Sequence, residues 1–464
     1  MTYELHQGDC LAVLPTLAAD SIDAIVTDPP YGLSFMNKDW DHGIPGEAFW
    51  REAWRVAKPG AMLLAFGGTR TSHRLAVAIE DAGWEIRDTV YWVYGSGFPK
   101  SADISKHIDK QAGAVREVVG KYKHPDGANR QNGSGPRYAG QVGEFGYSGS
   151  QAITAPATPE AITWQGWGTA LKPAVEPIIM ARKPLEKGLT VAANVLKWGC
   201  GGINVGACRV ECNDKTRFPV GYSKANGVAY AQDDYSKTWT SNGDSNPAGR
   251  WPANLIHDGS DEVLAGFPVT TASRAANGVK RFGRSAGIMG NVGALRDGRP
   301  EGHDDAGGSA ARYFYCAKAS KRDRDEGLEG WEERAIGHNL STNACARCGK
   351  RVKHNGSGEG CECGDLRETI KLPTASRNHH PTVKPTSLMS YLVTLVTPPG
   401  GTVLDPFLGS GSTFKAAVLL GFDCVGIEQD AAYIAIARAR IGHAAAQTRQ
   451  PALLPHLAPR VMEI

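Results

Sequence analysis

Four consecutive residues near the start of the chain combine an acid, two prolines and an aromatic ring: Asp28-Pro29-Pro30-Tyr31. They follow Ile22–Thr27, a short apolar run rich in β-branched residues, which predicts a buried parallel strand. Because proline lacks an N–H group, the two prolines supply two backbone carbonyls at this strand end and no N–H groups to pair with them. An exocyclic amine on a planar base suits the set, since it can donate to Asp28 and the Pro29 carbonyl while the base stacks on Tyr31. An ordinary strand-ending turn is the alternative interpretation.

A second stretch far downstream combines an acid with two closely spaced glycines: Asp405-Pro406-Phe407-Leu408-Gly409-Ser410-Gly411-Ser412-Thr413. Its position between a predicted strand and a predicted helix over 414–420 lets the glycines turn tightly and approach a ligand closely. No Gly-Lys-Ser/Thr follows, so this is not a phosphate-binding P-loop. Glu428 ends the next predicted strand, where an acid can accept both hydroxyls of a ribose. The stretch therefore predicts a nucleoside site.

In this order, the motifs resemble those of the β-class DNA amino-methyltransferases, which use S-adenosylmethionine. The resemblance covers roughly residues 1–110, 160–185 and 375–442, and the middle of the chain resembles long phage and prophage members. It implies that Asp28-Pro29-Pro30-Tyr31 is the catalytic motif and that 405–413 binds the cofactor. It also implies that Asp9 meets the cofactor's adenine. A further cofactor motif is implied at His380-Pro381-Thr382-Val383-Lys384-Pro385.

The implied reaction is methyl transfer to an exocyclic amine of DNA. A motif that begins with aspartate favours N6 of adenine, and N4 of cytosine is the alternative. Two further interpretations stay open: methylation of RNA or of a protein glutamine, and a catalytically inactive DNA-binding protein. Methylation at carbon 5 of cytosine requires a cysteine directly after a proline in that related family, and no Pro-Cys pair occurs in this sequence.

The elements that must position these residues follow a regular pattern. Residues 2–100 alternate predicted strands with amphipathic helices, which indicates a parallel sheet covered on both faces. Residues 58–60, Lys-Pro-Gly, are expected to end a helix, and 176–181 to form one more strand, reversed in the family. The resemblance implies an α/β fold, a Rossmann-like methyltransferase sheet with circularly permuted motif order. Trp164 and Trp167 are expected to pack in the core.

The predicted organisation has four parts. Residues 1–185 form the catalytic half, with a lid over 31–46 and a flexible loop near 124–160. A target-recognition insertion occupies 186–375, the cofactor-binding half 376–445 and a tail 446–464. Between positions 274 and 299 the insertion contains six basic residues and one acidic residue. This excess of positive charge predicts contact with DNA phosphates by Arg274, Lys280, Arg281, Arg284, Arg296 and Arg299.

Four cysteines near the end of the insertion form two close pairs, Cys345 with Cys348 and Cys361 with Cys363. Four thiolates in such pairs predict a structural, tetrahedral zinc site. Free surface thiols are the alternative, because the second pair is one residue tighter than the common spacing.

Bulk properties permit this function without demanding it. The 464 residues are 41% apolar and carry a net charge of +3, enough for a large core and compatible with a nucleic-acid partner. The first residues lack the pattern of a signal peptide, and no run of 18 apolar residues occurs, so a cytoplasmic protein without a membrane segment is expected. The expected partner is double-stranded DNA, and the sequence leaves open both a homodimer and a cognate restriction enzyme.

Overall fold

The computed structural model describes residues 2–32, 43–97, 101–121, 152–211, 249–270, 308–317, 320–335, 341–345, 369–373 and 375–448. Its strands are β1 (Tyr3–Gln7), β2 (Ile22–Thr27), β3 (Ala57–Phe66), β4 (Glu85–Val93), β5 (Val118–Lys121), β6 (Ala152–Thr154), β7 (Val175–Arg182), β8 (Leu255–His257), β9 (Val269–Thr270), β10 (Gly308–Ser309), β11 (Tyr315–Cys316), β12 (Arg334–Ala335), β13 (Ser341–Cys345), β14 (Thr369–Pro373), β15 (Ala375–Ser376), β16 (Thr402–Asp405) and β17 (Asp423–Glu428). Its helices are α1 (Cys10–Val13), α2 (Glu47–Val56), α3 (Ser72–Asp81), α4 (Ile104–Gln111), α5 (Pro159–Thr163), α6 (Val191–Trp198), α7 (Asp261–Gly266), α8 (Lys321–Asp325), α9 (Thr386–Val396), α10 (Ser412–Leu419) and α11 (Ala431–Thr448).

One large sheet organises the described part of the chain. Its strand order is β1-β17-β16-β2-β3-β7-β4-β8-β11. All neighbouring pairs are parallel except those of β7, which runs antiparallel to both β3 and β4. The prediction of an α/β fold with a mostly parallel sheet and one reversed strand is confirmed. The first and last parts of the chain meet at the centre, because β2 pairs with β16.

The sheet is buried on both faces. All six residues of β2 are buried, as its apolar, β-branched sequence predicts for a central parallel strand. On one side α2 presents Phe49, Trp50, Ala53 and Val56 at helical spacing to the core. Complete burial of a residue such as Phe49 stabilises the fold by about 1.5–3 kcal/mol. On the other side α9 and α10 cover the sheet with near-continuous apolar surfaces.

Several predicted boundaries match and some do not. The bounds of β2 are those predicted from the sequence. Helix α2 ends at Val56, just before Lys58-Pro59-Gly60 as predicted, but that segment itself lies inside β3, where the register against β2 shifts between Ile22 and Ala24. A strand tolerates a proline and a left-handed glycine such as Pro59 and Gly60 at an irregularity of this kind, because neither residue fits a regular ladder of backbone hydrogen bonds.

The core packing predicted for Trp164 and Trp167 is wrong. Their rings meet edge to face with centroids 5.0 Å apart, yet the residues are 41% and 59% exposed. They follow the short helix α5, which has too few turns to bring both rings against the sheet. The end of the predicted 124–160 loop is also structured, because β6 and the start of α5 lie within it.

The region 186–375 is described only in part. Its strands β8 and β11 extend the large sheet beyond β4. The six basic residues between 274 and 299, most of the predicted lid and three of the four zinc-ligand candidates lie outside the described residues. Within the described residues, no helix is long and apolar enough to cross a membrane.

Candidate active site

The two chemistry-bearing stretches meet at one edge of the sheet. Because β2 and β16 are parallel neighbours, with Val403 opposite Ala24, Asp28 and Asp405 lie at the same edge. A cavity of about 1690 Å³ opens between them. Pockets for one small ligand measure about 300–1,000 Å³, so this cavity has room for two ligands side by side.

Most of the predicted catalytic and cofactor residues line this cavity. They are Asp9, Asp28, Pro29, Pro30, Tyr31, His380, Thr382, Lys384, Asp405, Pro406, Phe407, Gly409, Ser410, Ser412, Thr413 and Glu428. Three predicted residues support the wall instead. Gly411 and Pro385 precede the first residues of α10 and α9, and Pro381 stands between two lining residues.

Tyr31 bridges two carboxylates. Its hydroxyl donates to Asp28 Oδ1 at 2.8 Å and lies 3.1 Å from Glu176 Oε2. The Thr71 hydroxyl donates to the Tyr31 carbonyl at 2.8 Å, which ties the catalytic turn to the start of α3. Burial, followed by the charges of Asp28 and Glu176, raises the pKa of Tyr31 well above its usual value, so the hydroxyl keeps its proton.

Lys384 contacts Asp28, the predicted catalytic acid, directly. Its Nζ lies 2.6 Å from Asp28 Oδ2 and 3.3 Å from Glu176 Oε2, and the residue is 6% exposed. Burial disfavours the ammonium, but Asp28 and Glu176 more than offset that effect and raise the pKa of Lys384. Its predicted role near the cofactor stays a prediction, and the contacts in the structure are with the catalytic motif.

Sequence reasoning missed Glu176. It is the second residue of β7, and Trp92 on β4 is its cross-strand partner. Because β7 is reversed, its first residues lie at the edge where the parallel strands end. That signal was present in the sequence, as an acid at the start of the one strand expected to run backwards. Burial, followed by the charge of Glu176, raises the pKa of Tyr94 above its usual value.

Glu428 and the glycine turn form the other side of the cavity. The Gly409 N–H donates to Glu428 Oε2 and the Asp430 N–H to Oε1, both at 2.8 Å. Burial raises the pKa of Glu428. Each carboxylate oxygen keeps a second lone pair for a ligand hydroxyl. Asp9 caps α1 by accepting from the Leu11 N–H at 2.7 Å and lies at the same wall.

Asp405 joins the two sides of the cavity. Its Oδ1 accepts from Thr27 Oγ1 at 2.7 Å and from the Phe407 N–H at 3.1 Å. Thr27 ends β2, so this bond ties the catalytic strand to the cofactor turn. Burial raises the pKa of Asp405 to about 6, and the hydrogen bonds from Thr413 and Thr27 limit that rise.

His380 packs over the glycine turn. Burial, followed by the positive charges of Lys384 and Arg324, lowers the pKa of His380 to about 3. The imidazole is therefore neutral at pH 7. Its ring meets Tyr433 edge to face at 4.6 Å between centroids, and its carbonyl accepts from Arg324 at 2.5 Å. Thr382 N lies 3.4 Å from His380 Nδ1, which orients the ring.

The four-cysteine zinc site stays a prediction. Cys345 ends β13, while Cys348, Cys361 and Cys363 lie outside the described residues. Across the described ranges, no cluster of three or more metal-binding side chains occurs.

Comparison with known proteins bears on the same stretches. A family model described as DNA methylase, covering N6 and N4 methyltransferases, matches residues 22–439. The type II methyltransferase M.HindIII of Haemophilus influenzae is 24% identical over 244 residues, or 43% of this chain and 64% of that protein. M2.DpnII of Streptococcus pneumoniae is 42% identical over 62 residues, 13% of this chain and 23% of that protein. The matches thus span less than two-thirds of these relatives.

Solved structures show a weaker likeness. The PvuII DNA methyltransferase, described as cytosine-N4-specific, is 11% identical with a TM-score of 0.37, covering 95% of this chain and 86% of that chain. The crystal structure of M1.HpyAVI is 12% identical with a TM-score of 0.34, covering 95% and 98%. At these scores the structural likeness adds no argument of its own.

Proposed function

Since the chain belongs to the DNA methylase family of N6 and N4 methyltransferases, we propose that it methylates the N6 amine of adenine in double-stranded DNA, with S-adenosylmethionine as methyl donor. One observation carries the proposal. The Asp28-Pro29-Pro30-Tyr31 turn and the 405–413 turn face a single cavity of about 1690 Å³, large enough for a methyl donor and a base together.

The cofactor side fits S-adenosylmethionine in chemistry as well as in size. Glu428 is the acceptor for the ribose hydroxyls, Asp9 stands at the wall where the adenine would lie, and Phe407 offers an apolar ring. The Gly409 and Gly411 φ angles of 53° and 79° are left-handed, which glycine adopts without strain, so the backbone can turn tightly beside the cavity. When bound, S-adenosylmethionine supplies an electrophilic methyl group on a sulfonium.

The base side activates the amine. A ring-conjugated amine is a poor nucleophile, because its lone pair is delocalised. Asp28 and the Pro29 carbonyl, by accepting its two hydrogens, favour a nitrogen whose lone pair points at the methyl group. That lone pair forms the N–C bond, the C–S electron pair stays on sulfur, and Asp28 is placed to accept the proton that the nitrogen then releases. No covalent intermediate on the protein is required.

The target base has to leave the duplex, because its amine is otherwise engaged in pairing. Tyr31 is the proposed stacking platform. Its hydroxyl is shared between Asp28 and Glu176, so its ring is held beside the acid that the amine must reach.

The test is transfer of a labelled methyl group to DNA, followed by nucleoside analysis of the digested product. Label in N6-methyladenine is the expected result, with Asp28→Ala as the inactive control. Label in N4-methylcytosine would assign the reaction to cytosine instead. Label found only in RNA or protein, or in no substrate while the folded protein binds the donor, would rule the proposal out.

A further inference from the structure

Glu176 lies against two polar groups of the catalytic pocket. Tyr31 Oη lies 3.1 Å and Lys384 Nζ 3.3 Å from Glu176 Oε2. The Glu176 side chain is 19% exposed. Neither the sequence motifs nor the amine-activation chemistry described above uses this carboxylate.

The need for it follows from the charge on Lys384. Its ammonium lies 2.6 Å from Asp28 Oδ2, so Asp28 and Lys384 alone form a neutral pair. Methyl transfer moves positive charge from the sulfonium to the amine nitrogen. A carboxylate neutralised by a buried ammonium stabilises that new charge poorly, and the ammonium competes with the amine for the same oxygens.

We propose that Glu176 is the counter-ion of Lys384 in the reacting complex and thereby leaves the charge of Asp28 to the target amine. It is a positioning residue, acting through Lys384 and Tyr31 rather than on the base, and this inference rests on the proposed function. With Glu176 ionised, the three side chains carry one net negative charge beside the amine. That charge complements the cation that develops on nitrogen.

The fold explains how Glu176 reaches this position. Strand β7 lies between β3 and β4 and is reversed, so Glu176 enters the pocket from a strand start, whereas Asp28 follows a strand end. Lys384 arrives from a third direction, just before α9. Two acids on separate strands thus hold one ammonium between them, which lets the ammonium move toward Glu176 when the amine arrives.

A double-mutant cycle tests the charge argument. The variants are Glu176→Gln, Lys384→Met and the two combined, and the readout is the single-turnover methyl-transfer rate at saturating donor and DNA. Glu176→Gln leaves a neutral pocket and is expected to lose about tenfold or more in rate, as for one charged group near the reacting atoms. Lys384→Met places two unshielded carboxylates together and is also expected to be slow. The combined variant again carries one negative charge, so it is expected to be at least severalfold faster than the product of the two single losses.

Glu176→Asp is the conservative variant, because it keeps the charge on a shorter side chain. It is expected to retain clearly more activity than Glu176→Gln, with donor and DNA affinities of both Glu176 variants within a few-fold of the wild type. Glu262→Gln, which removes an exposed acid paired with Lys172, serves as the control and is expected to react at the wild-type rate.

Any of three results would overturn the inference while leaving the proposed function intact. The first is a combined variant as slow as, or slower than, the product of the single losses. The second is Glu176→Gln reacting at the wild-type rate, and the third is Glu176→Asp losing as much rate as Glu176→Gln. A wild-type protein that transfers methyl to no DNA is a different failure, because it removes the proposed function itself.

Discussion

At the scale of single residues, Asp28 is the centre of the proposed chemistry. Three groups surround it in the structure: the Tyr31 hydroxyl, the Lys384 ammonium and, through both, Glu176. Asp28→Ala removes the acceptor that acts as charge develops on nitrogen, so the single-turnover rate is expected to fall about a hundredfold or more. Donor and DNA dissociation constants, measured by calorimetry and fluorescence anisotropy, are expected to change far less. A variant that transfers methyl at the wild-type rate would remove the active-site assignment altogether.

Gly409 offers a second test at this scale, directed at cofactor binding. Its φ is 53°, and an added Cβ would lie 2.8 Å from His380 Nε2. Gly409→Ala is therefore expected to weaken S-adenosylmethionine binding by about tenfold or more, because the turn must shift away from the strained geometry.

Gly421, at the end of α10, is a matched control for that substitution. Its φ is 82°, but nothing lies within 4 Å of an added Cβ. Gly421→Ala introduces the same left-handed backbone strain but no contact between the new Cβ and a neighbouring side chain. It is therefore expected to lower the free energy of unfolding while leaving the donor affinity, measured by calorimetry, unchanged. Equal donor affinities for both variants would show that the 409 turn does not contact the cofactor.

At the scale of elements, the short helix α8 attaches the end of the 186–375 region to the cofactor side. Asp323 accepts from the Thr386 N–H at 2.6 Å, at the first residue of α9, and also bonds Lys415 on α10. Burial alone would raise the pKa of Asp323, but Lys415 and the Thr386 hydrogen bonds hold it below the usual value. One carboxylate therefore connects three helices.

Asp323→Asn is expected to destabilise the fold by about 2–3 kcal/mol at pH 7, because it leaves buried Lys415 with Glu326 as its remaining acid partner. The depressed pKa means that this stabilisation is present above the unfolded-state pKa and is lost as the pH falls through the folded-state pKa. The free energies of unfolding of wild type and variant, measured with denaturant, should thus differ at pH 7, and the difference should shrink as the pH falls below about 4.

The exposed i,i+4 pair of Glu47 and Arg51 provides the control for this experiment. Glu47→Gln is expected to change the free energy of unfolding by less than about 0.5 kcal/mol at either pH. A constant difference between wild type and Asp323→Asn from pH 7 to pH 3 would show that the Asp323 carboxylate is not the stabilising group.

At the scale of the whole molecule, the zinc prediction concerns residues 345–363 of the inserted region. Protein purified without chelators is expected to contain about one zinc per chain, held by Cys345, Cys348, Cys361 and Cys363. Cys348→Ser and Cys361→Ser should abolish retention of the metal, measured by elemental analysis. Cys424→Ser, at a buried thiol on β17, should leave it unchanged. Stoichiometric zinc in the Cys348→Ser protein, or none in the wild type, would contradict the prediction.

The sequence by itself determined the strands, the motifs and the class of chemistry. Ile22–Thr27 was recognisable as a central strand because burial on both faces demands a continuous apolar run. Asp28 and Tyr31 were recognisable because a polar cluster at a strand end is a local pattern. Glycines 409 and 411 were recognisable because only that residue type adopts their left-handed backbone without strain.

Only the tertiary structure decided how these parts combine. Glu176, Lys384 and Asp28 are far apart in the chain, and their contacts arise because a reversed strand and the turn before α9 reach one sheet edge. The exposure of Trp164 and the passage of β3 through Lys58-Pro59-Gly60 depend likewise on neighbouring elements, since a local pattern carries no information about what packs against it. Ion pairs between residues that are hundreds of positions apart in the sequence depend on the order and direction of the strands, and the spacing of residues along the chain does not reveal them.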